Sequence, residues 1–150
     1  MGVPVTMPDS GLPRWAQVAG RLARVAIYAL GVVVGIGDVW VRSDVIADAV
    51  GVPWVLVWGW LALASGTIGA LAVIAWRWRW ELVASAALAF AFAARAVGVW
   101  ATVDDLPSRI APAAVMTIAA LSCLLRALDL SVFASRTSAM AIRVRRRARS

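Results

Sequence analysis

The sequence predicts an all-α fold, a four-helix bundle integral to a membrane with both termini on the cytoplasmic side, and three observations predict it. Four long apolar stretches fill most of the 150 residues, which are 63% hydrophobic and 15% charged. Each stretch is close to the ~20 residues needed to cross ~30 Å of hydrocarbon. The breaks between them are short and carry arginine in a pattern that orients the chain. The spans are read at 22–41, 54–76, 82–103 and 110–133. They form one transmembrane domain, 22–133, between a cytoplasmic arm, 1–21, and a cytoplasmic Arg-rich tail, 134–150. Neither end has enough apolar surface for a core of its own.

Pro4, Pro8 and Pro13, with Gly2 and Gly11, predict an irregular arm, after which Arg14, Arg21 and Arg24 begin a helix at the inner interface. Residues 1–13 lack a basic n-region and no cleavage site follows, so the first span is expected to be retained rather than removed as a signal peptide. Gly2 and Thr6 formally match a myristoylation pattern, but a lipid adds nothing to the anchoring of four spans. The outer connection, 42–53, carries Asp44 and Asp48 in a stretch that predicts a short interfacial helical turn. Pro53 then stands in the first turn of the second span, where a missing N–H has no partner to lose.

Arg77-Trp78-Arg79-Trp80-Glu81 alone separates spans two and three, which makes them antiparallel neighbours. Asp104-Asp105-Leu106-Pro107-Ser108-Arg109 does the same for spans three and four, with Pro112 in the first turn of the fourth. The likeness of Val39-Trp40, Asp44 and Pro53 to Val99-Trp100, Asp104 and Pro107 reads either as a parallel duplication of a two-span hairpin or, the favoured reading at this length and composition, as chance.

Arginine sets the orientation. Eleven fall on one side: Arg14, Arg21 and Arg24, the hairpin pair Arg77 and Arg79, and Arg136 with the five at 143, 145, 146, 147 and 149. The other side has Arg42 and Arg109 among Asp44, Asp48, Asp104 and Asp105. The positive-inside rule places the arginine-rich side, and with it both termini, in the cytoplasm. Tryptophan agrees, because its amphipathic ring favours the headgroup level. Trp40, Trp54, Trp58, Trp60 and Trp100 mark the outer ends, and Trp15, Trp76, Trp78 and Trp80 the inner ones.

The chain has no histidine, one tyrosine (Tyr28) and one glutamate (Glu81). Histidine-ligated haem or metal and histidine proton shuttles are therefore excluded. No Cys, Asp and Glu cluster has ligand spacing, so neither a metal, a cofactor nor an enzymatic activity is expected. Cys123, the single cysteine, lies inside a span and reads as a small packing residue.

Four groups of residues carry what function the sequence offers. Gly31 and Gly35, Ser65 and Gly69, and Gly66 and Ala70 are each spaced four apart, and 84–96 is alanine-rich. Small faces let helices approach closely, either within one protomer or between copies in a homo-oligomer. Arg95 stands about 8 residues, or roughly 12 Å, inside the outer end of span three. A guanidinium there costs ~2.5–3.5 kcal/mol on insertion scales unless paired, and Asp38 lies at a compatible depth. The two form either a structural ion pair or the polar lining of an aqueous path. Arg126 and Asp129, three apart near the inner interface, meet on one helix face. Finally Arg143, Arg145, Arg146, Arg147 and Arg149 are set to contact anionic lipid of the inner leaflet at ~1 kcal/mol each. Nucleic acid is not an expected partner, because no base-reading side chain accompanies the run.

All fifteen basic residues are arginine and alanine and valine abound, a bias of GC-rich coding sequences. With the Arg77-Trp78-Arg79-Trp80-Glu81 hairpin, four short-looped spans and the Arg-rich tail, the chain resembles small membrane proteins of actinobacterial phages, including holin-like proteins. That resemblance implies a protein that oligomerises in the inner membrane and permeabilises it, with Asp38 and Arg95 lining or gating the lesion. An accessory or phage-exclusion protein that binds a membrane partner is the alternative. A small transporter is third: Asp38 is the only carboxylate in the first span, but it lies near the interface and has no evident aromatic cage.

Overall fold

The computed structural model describes residues 13–41, 47, 51–104 and 107–147, with side chains of the last helix described to Ser138. Helix α1 (Arg14–Ile36) runs on through a π-helical turn, Gly37–Val41. Helices α2 (Val52–Ile74) and α3 (Trp78–Trp100) follow, and a 3-10 turn at Pro107–Arg109 leads into α4 (Ile110–Arg147). All four are long and apolar enough to cross a membrane, the pattern of a multi-pass membrane protein. The expectations for residues 1–12, for 42–46 and 48–50, and for the side chains of Arg143, Arg145, Arg146, Arg147 and Arg149 lie outside the described residues.

Local chemistry explains where the helices start and stop. Pro13 precedes α1 at φ −58°, and its carbonyl accepts the N–H groups of Ala16 and Gln17 at 3.0 and 3.1 Å. Gly51, at φ 95°, and Pro53 open α2, with proline in the first turn. The turn between α2 and α3 is tighter than the charged run suggests. The N–H of Arg77 reaches back to the carbonyl of Ala72 at 2.9 Å, across Trp76 at φ 57°. This is the Schellman closure normally made by glycine. The left-handed backbone costs a residue with a Cβ ~1–2 kcal/mol. Arg21 offsets it: its guanidinium stacks 3.9 Å from the Trp76 ring centroid and donates to the carbonyls of Val73 and Ile74 at 3.0 and 3.4 Å.

Because the chain has already reversed at Arg77, whose carbonyl accepts the N–H groups of Trp80 and Glu81, α3 begins at Trp78 and not at 82. Glu81 therefore belongs to its first turn. At the other extreme, α4 continues past 133 without a break, since residues 134–147 contain neither glycine nor proline. Its 38 residues span about 57 Å at 1.5 Å each, well beyond a ~30 Å hydrocarbon core.

The helices pack in chain order: α1 on α2, α2 on α3, and α3 on α4, with α1 touching α3 lightly. The alanine-rich α3 therefore lies between α2 and α4, and Leu88 and Phe92 on it are fully buried. The small residues build the α1–α2 interface. A Cβ on Gly35 would lie 2.6 Å from the backbone nitrogen of Leu63, and one on Gly66 2.7 Å from the carbonyl oxygen of Tyr28. The ring of Tyr28 lies on Gly69, and Gly31 admits Leu88 of α3. Ser65 is buried, returning its hydroxyl proton to the carbonyl of Leu61 at 2.6 Å, and Ala70 is half-buried against the core. These faces are thus used inside the protomer.

Candidate functional site

One face of α3 carries the chemistry. Glu81, Ser85, Leu88, Phe92 and Arg95 follow one another at alternating steps of four and three, which aligns them along a single stripe. Glu81 and Arg95 stand about 21 Å apart along the helix, one near the hairpin end of the bundle and the other toward the opposite end. Both ends of the stripe are engaged by charged side chains from other helices.

At the far end, Arg95 Nη1 meets Asp38 Oδ1 of the π-helical turn in an ion pair. The Asp38 side chain is 5% exposed and that of Arg95 21%. The π turn widens the helix where Asp38 must face inward, a local irregularity that in other helices often accompanies function. Gly59 of α2 makes room for it: a Cβ there would lie 2.9 Å from that of Asp38 and 3.0 Å from Cγ2 of Val39. Four-residue spacing of small residues does not single out Gly59, because Val55 and Leu63 stand four positions on either side of it.

At the hairpin end, Glu81 is a hub. Its Oε1 accepts from Arg126 Nε at 2.9 Å and from Arg24 Nη1 at 3.5 Å, joining α1, α3 and α4. Arg126 also reaches Asp129 Oδ2 at 3.3 Å, the pair expected from i, i+3 spacing. The two contacts are not equivalent. Glu81 is 4% exposed, whereas Asp129 is 70% exposed and is screened by solvent. The stronger partner of Arg126 is thus a residue 45 positions away, in the charged run between the second and third spans. The available signal was its solitude: the one glutamate of the chain stands at the mouth of an apolar helix, with arginines on two other spans.

Tyr28, Ser85, Ser122 and Cys123 line a small cleft beside this hub, together with Arg24 and Arg126. Between the two ionic centres Leu88 and Phe92 fill the stripe, each 0% exposed. The polar face of α3 is therefore interrupted by an apolar plug, and the described residues leave no continuous polar path through one protomer. Among them no three potential ligands converge on a metal position. Comparison of the chain with protein-family models, curated proteins and solved structures gives no match.

Proposed function

We propose that the chain is a holin-like, non-enzymatic protein of the cytoplasmic membrane, with both termini inside, which permeabilises the bilayer once several copies associate. The observation that carries this reading is the covered polar stripe on α3. A membrane anchor has no need of Glu81, Ser85 and Arg95 on one face of an inner helix, where each charge costs ~2.5–3.5 kcal/mol unless paired. In the protomer α1 covers that stripe through Asp38 and Arg24, yet it packs chiefly on α2. Moving α1 off α3 would uncover Ser85 and release Arg95 from Asp38, while Glu81 would keep Arg126 of α4; the freed hydroxyl and guanidinium, on either side of Leu88 and Phe92, are suited to meet water between copies. The sealed protomer is then the resting form. Eleven arginines on the hairpin side support the inward orientation, and the arginine-rich composition supports an actinobacterial phage origin.

The test is inducible expression in a bacterial host, following membrane potential and dye entry, beside Arg95→Leu at equal protein level. A delayed, abrupt collapse of potential, with its timing shifted by the substitution, supports the proposal. Steady growth at high expression refutes it and favours an accessory protein that binds a membrane partner.

A further inference from the structure

We infer that the α2–α3 hairpin holds one anionic phospholipid, its acyl chain along α2 and its phosphate on Arg77 and Arg79. The site has two contiguous parts. An apolar slot is lined by Ile68, Leu71, Ala72 and Ala75, and is closed at the hairpin by Arg77 and Trp80. Beyond it the same two residues border a hollow completed by Trp76, Trp78 and Arg79. Apolar wall, then indole belt, then guanidinium is the order of a phospholipid read from chain to headgroup. The slot from Ile68 to Ala75 runs about 10 Å along the helix. Ile68 and Leu71 are 42% and 60% exposed on a helix long enough to span a bilayer, so the slot faces acyl chains and not water.

Charge selects the lipid class. The one acid of the hairpin, Glu81, is turned into the bundle and occupied by Arg126 and Arg24. Arg77 and Arg79 are exposed, and among the described residues no carboxylate pairs with either. The hollow therefore presents two cations and no anion, which suits a phosphate whose headgroup carries no compensating charge. A second apolar groove, between Val18, Leu22, Val25 and Val73, also ends on an arginine. That arginine, Arg21, already donates to two carbonyls and stacks on Trp76. It serves as the control.

The experiment reconstitutes the full chain in phosphatidylcholine nanodiscs doped with spin-labelled phosphatidylglycerol or spin-labelled phosphatidylcholine, and reads the motionally restricted fraction. The wild type should retain phosphatidylglycerol preferentially, and Arg77→Gln should lower that preference about fivefold. Ala75→Phe, which keeps every charge but fills the slot, should abolish it, while Val18→Phe in the control groove leaves it unchanged. Circular dichroism checks that each variant is folded. Equal retention of both lipids by the wild type overturns the inference. So does preference that survives Ala75→Phe, since the arginines would then only gather anionic lipid at the surface.

Discussion

Replacing Glu81 by glutamine tests whether the hairpin-end centre holds the bundle together. The substitution keeps the volume and one carbonyl acceptor but removes the negative charge that joins Arg126 at 2.9 Å and Arg24 at 3.5 Å. Breaking a buried pair by removing one partner costs ~3–5 kcal/mol. Arg126 keeps its contact with Asp129, so the expected loss is smaller, roughly 2–3 kcal/mol. That is on the order of 10²-fold in the unfolding equilibrium. Asp129→Asn removes the other partner of Arg126, a side chain 70% exposed, and should change stability by less than ~1 kcal/mol. The assay is reversible denaturation in mixed micelles, with a double-mutant cycle between positions 81 and 126 and another between 81 and 24. Coupling should be larger in the first, following the shorter contact. A cost for Asp129→Asn equal to that for Glu81→Gln would refute the assignment of Glu81 as the hub.

Four further outcomes are expected. Arg95→Leu and Asp38→Leu should each lower stability, because each leaves a buried charge without its partner, while the double variant should recover most of the loss; in micelle denaturation, a double variant no better than the worse single one would show that the pair is not the relevant unit. Gly66→Ala should destabilise by ~1–3 kcal/mol, since its Cβ would lie 2.7 Å from the Tyr28 carbonyl oxygen and 2.9 Å from the nitrogen of Val32. Gly20→Ala on the same assay should be neutral or stabilising by ~0.5–1 kcal/mol, having no neighbour within 4 Å of the new Cβ. In a Cys123→Ser background, a cysteine at Ser138 should react with a membrane-impermeant maleimide only after the cells are opened, and labelling of intact cells would reverse the proposed orientation.

Four helices of spanning length were legible in the chain because the bilayer imposes a one-dimensional rule: about 20 apolar residues between charges read as a span whatever they pack against. The antiparallel pairing of α2 with α3 and of α3 with α4 was equally legible, since the connections are too short for any other path. Helix ends were less so. Trp76 adopts a left-handed backbone that its residue type disfavours, stabilised by Arg21 from another helix, and no local pattern announces that. The continuation of α4 beyond 133 was written in the absence of glycine and proline, but hydropathy alone ends the span where arginine begins.

Charge and spacing along the chain therefore determined the helices, their number and the residues that cannot sit in lipid alone. Only the tertiary structure decided the partners. It is the packing order of α1 through α4 that turns Glu81 from a loop charge into the hub for Arg24 and Arg126. The same order sets Asp38 against Arg95 and directs the glycine faces into the α1–α2 contact. The reason is physical: a helix surface offers a charged side chain several neighbours at three and four residues, whereas desolvation inside the bundle favours whichever opposite charge is most deeply buried beside it.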